Sequence, residues 1–255
     1  MFISFFVVFL GAVIFAVFYQ VTLDRREESY EELAEEVRTA DSASVIPTEM
    51  PTDVPETVSM SQTVEIPIDF SVLQEKNPDI YAWILIPGTG VDYPILQSST
   101  DQAYYLNHTA EGAEGYPGSI YTENLNKKDF TDKNTVIYGH NMKDDSMFGS
   151  LKKYVDSDYM QEHPQIIIYT PEHKLTYQIY AGITYDDRHI LGSFDFTDTQ
   201  QYQAYLNSID SVRNMASYRN PEVEVTTEDK IITLSTCNSN QEQRFLVEAV
   251  LISEE

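Results

Sequence analysis

Cysteine and basic residues are scarce in this sequence, and each shortage excludes something. Cys237 is the one cysteine among 255 residues, so an internal disulfide is excluded and a cysteine-based metal site is not expected. Lysine and arginine together number 16, against 41 aspartates and glutamates, which gives a formal net charge of −25. A surface of that sign repels nucleic acid. We therefore expect no nucleic-acid partner. The sequence also shows no acidic cluster of the kind that binds calcium and no glycine-rich phosphate loop, so no metal and no other cofactor is expected.

Long apolar runs are absent except at the N-terminus. Residues from Phe2 to Tyr19 form one such run, with Ser4 as its only polar interruption, and about 18 apolar residues are enough to span a bilayer. A cleaved signal peptide is the alternative, but its apolar region usually has about 7–15 residues before a small-x-small cleavage site. Because this run is longer and is followed by Gln20–Leu23, the sequence favours an uncleaved transmembrane anchor over residues 1–23.

Residues 24–65 have the composition of a stalk. From Asp24 to Ala40 the chain is dense in glutamate and sparse in apolar residues, and from Asp41 to Thr63 it turns to serine, threonine and proline. The first part predicts a solvated helix and the second a disordered spacer. We therefore place the folded domain at residues 66–255 and expect a chain that lacks Met1–Thr63 to be soluble and active.

The folded part is predicted to be mainly β, with eight short strands that indicate a barrel or a sandwich. A short helix is expected at Phe70–Asn77. A long amphipathic helix is expected between Asp198 and Tyr218, and Thr197 with Gln200 forms a capping-box pattern at its start. Its predicted apolar stripe recurs at steps of three and four residues and consists of Tyr202, Tyr205, Leu206, Ile209, Val212 and Met215. The predicted strands are Ala82–Ile86, Val91–Leu96, Ser119–Tyr121, Thr135–Tyr138, Gln165–Thr170, Leu175–Tyr185, Lys230–Thr236 and Phe245–Ile252.

The last two strands predict a hairpin whose tip is flanked by Cys237 and Arg244. Residues that face each other in an antiparallel pair have Cβ atoms roughly 5 Å apart, so a guanidinium would lie beside the sulfur. A fixed positive charge there favours the thiolate and can stabilise a developing oxyanion. A lone cysteine is more often a small buried hydrophobic residue, but this one ends its strand and opens a polar loop, where access is greatest.

A thiol nucleophile needs a proton-transfer partner near neutral pH, and histidine is the usual one. His163 and His173 are expected to be solvated, whereas His108 and His189 could line a groove. His140 follows the strand Thr135–Tyr138 through Gly139 and so lies at a strand end. It is the favoured candidate.

These residues together resemble a known family. Thr233–Cys237 reads TLSTC, Tyr138–Met142 reads YGHNM upstream, and Arg244 opens the next strand. The pattern is similar to that of the class B sortases, over roughly Phe70–Ile252. The resemblance implies an eight-stranded sortase-type β-barrel with the long helix inserted before the cysteine strand.

The resemblance also implies an activity, that of a cysteine transpeptidase. Cys237 would cleave a C-terminal sorting signal of secreted proteins after threonine, His140 would protonate the leaving amine, and Arg244 would hold the oxyanion. A peptidoglycan or lipid-linked precursor amine would then take the acyl group. The substrate-binding residues that it implies are Ser235, Thr236 and Asn107.

The implied location is the cell membrane of a Gram-positive type of cell, with one membrane pass and an extracellular catalytic domain. The positive-inside rule predicts the opposite orientation, because Arg25 and Arg26 follow the apolar run and no basic residue precedes it.

Two alternative functions stay open. A membrane-tethered cysteine peptidase would use the same cysteine and histidine with water as acceptor, and a catalytically silent binding module would have a strand-end cysteine by chance.

Overall fold

The computed structural model describes residues 2–38, 65–238, 240 and 242–255, and for residues 2–8 it describes the backbone alone. The predicted spacer over Asp41–Thr63 lies outside the described residues. The structural elements fall in the remainder of the chain, where the eight predicted strands are all found within a few residues of their expected bounds.

The strands of the described residues form one sheet, and eight of them close into a barrel. The sheet order is β5-β1-β2-β3-β4-β8-β9-β6-β7, and β6 also pairs with β5, which closes the ring. The short β7 pairs with β6 outside that ring. The strands are β1 (Ile80–Leu85), β2 (Asp92–Leu96), β3 (Ile120–Thr122), β4 (Asn134–Tyr138), β5 (Gln165–Tyr169), β6 (Lys174–Asp186), β7 (Tyr218–Arg219), β8 (Ile231–Cys237) and β9 (Gln243–Glu254).

Two parallel pairs, β2 with β3 and β4 with β8, interrupt an otherwise antiparallel barrel. Parallel neighbours require a long crossover, and the chain between β4 and β8 supplies one that contains three other strands. The crossover returns β8 to the side of β4 and makes β9 its other neighbour. β4, which leads to His140, therefore lies beside β8 and β9, which bear Cys237 and Arg244.

The barrel interior is apolar, and a second apolar cluster lies on its outer face. Trp83 and Leu234 are fully buried in the interior cluster. Alternate residues of β8 and β9 point outward, where Ile231 and Leu246 pack with Tyr205 and other apolar residues of the long helix. One face of β8 and β9 thus fills the barrel and the other supports a helix.

Five helices and two 3₁₀ segments are found in the described residues. The helices are α1 (Phe2–Val37), α2 (Phe70–Lys76), α3 (Ser157–Glu162), α4 (Ile190–Ser193) and α5 (Thr199–Asp210), and the 3₁₀ segments are Tyr104–Leu106 and Gly149–Val155. Asp69 caps α2, because its carboxylate accepts from the backbone N–H groups of Ser71 and Val72.

The long amphipathic helix is shorter than the sequence predicts, and another residue caps it. Asp198 is the N-cap, where its carboxylate accepts from Gln200 N–H at 2.8 Å, while the hydroxyl of Thr197 donates to Asp195. The helix ends at Asp210, so the predicted apolar position Met215 lies beyond it and is fully exposed. The apolar stripe of Tyr202, Tyr205, Leu206 and Ile209 is buried as predicted.

Helix α1 differs from the solvated helix that its composition predicts. Its C-terminal part packs on the barrel, with Tyr30, Leu33, Ala34 and Val37 buried in the main core. The spacing of three, one and three residues places these side chains on one face of the helix. Glutamates occupy the other faces, which explains why the composition alone indicated a solvated segment.

The predicted transmembrane helix is not supported by the structure. In the part of the chain that is described, no helix is both long and apolar enough to cross a membrane.

Candidate functional site

Cys237 and Arg244 face each other at the open end of the β8–β9 hairpin. Their Cα atoms are register partners in the antiparallel ladder, as the sequence predicts. The Cys237 side chain is exposed and Arg244 is half-buried. The pair was predictable because two alternating apolar runs flank the polar tip and place these two residues at facing strand ends.

His140 reaches the same end of the barrel from the other side of β8. In the parallel pair β4–β8, Tyr138 is the partner of Ser235, and Gly139 N–H donates to Ser235 O at 3.1 Å. His140 comes two residues after Tyr138 and Cys237 two residues after Ser235, so both lie at the same end of this strand pair. The Asn141 side chain ties the two segments together, because its Nδ2 donates to Cys237 O at 2.9 Å.

The His140 ring is held by two groups that the sequence did not identify. Its Nε2 lies 2.6 Å from Leu106 O, and since a carbonyl only accepts, Nε2 carries the hydrogen. Nδ1 is then the ring nitrogen that can accept a proton. The Tyr116 ring packs edge-on against the imidazole, with ring centroids 4.7 Å apart. No periodicity or motif links Leu106 and Tyr116 to His140, because both contacts come from segments that are distant from His140 in sequence.

Gly139 is needed at this place for packing. A Cβ on Gly139 would lie 2.5 Å from Ile120 Cδ1 and 2.6 Å from the Phe148 ring, both well inside van der Waals contact. The absence of a side chain therefore lets β4 run directly into His140 against the barrel wall.

The three predicted substrate-binding residues are not all on one surface. Ser235 lies on the same face of β8 as Cys237 and is almost fully buried, at the floor of a cavity described below. Asn107 is exposed and follows Leu106, the residue that binds His140. Thr236 points to the opposite face of the strand and is buried, so its side chain is not brought to the site.

A cavity of about 150 Å³ adjoins Arg244 on the outer face of the barrel. His189, one of the two histidines expected to line a groove, contributes to its wall, and its Nε2 lies 2.6 Å from a carboxylate oxygen of Glu123. Burial raises the pKa of the Tyr138 phenol in the same wall, so this group stays neutral. The lining residues are Tyr138, Asp186, Asp187, Arg188, His189, Ile190, Ser235, Arg244 and Leu246.

A larger cavity, about 510 Å³, lies between residues 125–134 and 191–201 and contains none of the predicted site residues. His108, the other histidine expected at a groove, stacks on the Tyr104 ring with centroids 3.8 Å apart.

A buried carboxyl group lies on the same face of β9 as Arg244. Glu248 is fully buried, and its carboxylate accepts hydrogen bonds from Tyr205 of α5 at 2.7 Å and from Thr233 of β8 at 3.0 Å. Burial raises the pKa of this carboxyl to about 7, against the opposing effect of these hydrogen bonds. Glu248 thus joins helix α5 to the strands that bear Cys237 and Arg244.

Comparisons with known proteins identify the family. The family model described as a sortase domain matches residues 84–252. The chain is similar to sortase B of Listeria monocytogenes, 37% identical over 188 residues that cover 71% of this chain and 73% of the relative. Sortase B of Staphylococcus aureus is 33% identical over 188 residues, which cover 72% of this chain and 74% of the relative.

Solved structures agree with the sequence relatives. The structure described as a Staphylococcus aureus sortase B–substrate complex superposes with a TM-score of 0.64 at 31% identity, and the match covers 72% of this chain and 84% of that one. Sortase B from Clostridium perfringens gives a TM-score of 0.65 at 26% identity, with coverage of 72% and 100%. The chain therefore belongs to the sortase family, as a cysteine transpeptidase of class B.

Proposed function

We propose that this sortase cleaves a C-terminal sorting signal of secreted proteins after threonine and transfers the protein to a cell-wall amine, with Cys237 as nucleophile. One observation carries the proposal, the position of Cys237. It is exposed at the end of β8, opposite Arg244 on β9 and at the same end of the barrel as His140, which follows the neighbouring strand β4. A thiol, a fixed cation and an imidazole are the groups that thiol-dependent acyl transfer requires.

The first half of the proposed reaction forms a thioester. The Cys237 thiolate attacks the carbonyl carbon of the threonine, and the electron pair of the C=O bond moves to oxygen, where the Arg244 guanidinium stabilises it. Collapse of the tetrahedral intermediate breaks the C–N bond, and protonated His140 donates a proton to the departing amine. Ser235 and Asn107 are proposed to contact the sorting signal, since both lie beside these groups.

The second half consumes the thioester. A neutral amine attacks the thioester carbon, neutral His140 accepts the proton that the amine loses, and the C–S bond breaks to return the thiolate. The thioester retains the acyl energy for this step, so no further co-reactant is needed. The amine belongs to peptidoglycan or to a lipid-linked precursor of it.

We also propose that residues 1–23 anchor the protein in the membrane, with the catalytic domain outside the cell. Large apolar side chains of α1 such as Phe9, Phe15 and Phe18 are exposed, which supports a lipid environment. Cell fractionation of the full chain and of a chain without residues 1–21, with protease treatment of intact cells, tests this. Recovery of the full chain in the soluble fraction would contradict it.

The product distribution tests the proposed reaction. Purified protein is incubated with a library of sorting-type peptides and a short peptide that has a free N-terminal amine, and the products are identified by mass spectrometry. Transpeptidation predicts an amide between the threonine carboxyl and the added amine. If the only product at every amine concentration is the peptide fragment with a free carboxylic acid on its terminal threonine, the protein is instead a cysteine peptidase.

A further inference from the structure

Helix α1 contacts a loop that packs against His140. This loop, residues 107–119, is called the first loop, and its Tyr116 ring packs on the His140 ring. The Arg26 guanidinium donates from Nη1 to Pro117 O and from Nη2 to Glu114 O, each at 3.4 Å. The guanidinium lies directly against the loop backbone, because a Cβ on Gly115 would be 1.8 Å from Arg26 Nη2.

Tyr30, one helical turn further along α1, holds the other end of the same loop. Its buried hydroxyl donates to Gly118 O at 3.2 Å and accepts from Ala110 N–H at 3.3 Å, and it lies 3.1 Å from Ser119 Oγ. Five hydrogen-bonding groups of the loop thus contact either this buried phenol or the neighbouring guanidinium. The loop conformation depends on both side chains.

Through Tyr93 of β2, Tyr30 also reaches a second loop, residues 140–148, which includes His140 itself. The Tyr30 ring packs edge-on against Tyr93, with centroids 5.5 Å apart, and the Tyr93 hydroxyl accepts from Met147 N–H at 3.0 Å. The second loop is closed by Phe148 N–H, which donates to His140 O at 2.9 Å. The gap that remains between α1 and this loop holds only about 10 Å³.

We infer that α1 is a positioning element of the active site, in which Arg26 and Tyr30 fix the loop whose Tyr116 packs on the His140 ring and Tyr30, through Tyr93, supports the loop that contains His140. The helix fills the space between these loops, so a change in its packing moves Tyr116 from one side and the His140 backbone from the other. This inference deepens the proposed function, since it takes His140 as the proton-transfer group.

The neighbouring residues Arg25 and Arg26 provide a matched pair of variants for testing this inference. The full chain is used, purified in detergent. Arg26→Ala and Tyr30→Phe remove the loop contacts. Arg25→Ala makes the same change of charge on the exposed side of the helix. The readouts are the ¹⁵N resonances of the His140 ring, which report its tautomer and environment, and the single-turnover rate of Cys237 acylation by a sorting-type peptide. Thermal unfolding verifies that each variant is folded.

Arg26→Ala and Tyr30→Phe are expected to shift the His140 resonances and to slow acylation by about 10- to 100-fold, as small displacements of a catalytic group do. Arg25→Ala is expected to match the wild type in both. Unchanged His140 resonances in the two variants would overturn the inference, and so would shifted resonances with a wild-type rate. If the wild type itself forms no acyl-enzyme while the resonances shift as expected, the proposed function fails and the positioning of His140 by α1 stands.

Discussion

Arg244 lies directly across the hairpin from Cys237, and at the scale of single residues its proposed role has the clearest consequence. A cation that stabilises an oxyanion acts more strongly in the transition state than in the ground state. A solvated strand-end charge would have no such preference. The two roles can therefore be distinguished by comparing the acylation rate with the peptide affinity, because only an oxyanion-stabilising role changes the rate much more than the affinity.

We predict that Arg244→Ala lowers the single-turnover acylation rate by about 10²–10³, the usual effect of removing one oxyanion donor. Peptide affinity, measured on a Cys237→Ala background, is expected to change much less. Arg244→Lys keeps the charge but loses the planar fork, so it should recover part of the rate.

Arg213→Ala is the control for this prediction, because Arg213 is exposed just beyond the C-terminus of α5 and carries the same charge. It is expected to leave the acylation rate unchanged. A wild-type acylation rate in Arg244→Ala would reduce the catalytic group to Cys237 and His140.

Glu248 gives a prediction about stability and pH. Its pKa is about 7 in the folded protein, raised by burial from 4.5, so the folded state holds the proton more tightly than the unfolded state. The free energy of unfolding therefore receives its full contribution from this group below about pH 4.5 and loses it as the pH rises to about 7. At about 1.4 kcal/mol per pKa unit, the loss is roughly 3 kcal/mol.

Glu248→Gln is expected to remove this part of the pH dependence, because glutamine stays neutral. Chemical unfolding at several values between pH 4.5 and 8 measures it, and Glu254→Gln on the exposed end of the same strand is the control. An identical pH slope in wild type and Glu248→Gln would show that Glu248 is ionised in the folded protein throughout this range.

At the scale of elements, α5 shows how the structure revises a sequence-based boundary. Asp198 accepts hydrogen bonds from two backbone N–H groups of the first helical turn, a contribution of about 1 kcal/mol to stability. We predict that Asp198→Ala lowers the free energy of unfolding by about that amount. Thr197→Ala, the residue at the capping position predicted from sequence, should change it by less than about 0.5 kcal/mol. Denaturant titrations compare the two, and the reverse order would restore Thr197 as the cap.

Much of the architecture was predictable because alternation and turn residues are local signals. The eight barrel strands and the pairing of Cys237 with Arg244 follow from such patterns. The contacts of His140 with Leu106 and Tyr116 do not, because they join segments through tertiary packing. The proton affinity of Glu248 depends on burial beneath a helix, and a strand pattern with one glutamate at an outward position gives no sign of that burial.

At the scale of the whole molecule, the packing of α1 changes where the folded unit begins. The sequence predicts that a chain without Met1–Thr63 stays folded, but Tyr30, Leu33, Ala34 and Val37 belong to the main core. Each buried large apolar side chain contributes about 1.5–3 kcal/mol.

We predict that deletion of residues 1–38 lowers the free energy of unfolding by roughly 5 kcal/mol or more. At about 2–4 °C per kcal/mol for a chain of this size, the melting temperature should fall by about 10–20 °C. Deletion of residues 1–21, which keeps the buried face of α1, is the matched control and should melt near the full chain. Equal melting temperatures of the two truncated proteins would show that α1 adds nothing to the stability of the barrel.

The central claim is that Cys237 forms a thioester with a sorting signal while His140 transfers the proton. Intact-protein mass spectrometry after incubation with a library of sorting-type peptides, without added amine, measures this most directly. The account predicts a mass increase equal to the acyl fragment that ends at threonine, located at Cys237 by peptide mapping. It predicts no such adduct in folded Cys237→Ala and a strongly reduced one in folded His140→Ala. Turnover of any of these peptides by Cys237→Ala would contradict the account.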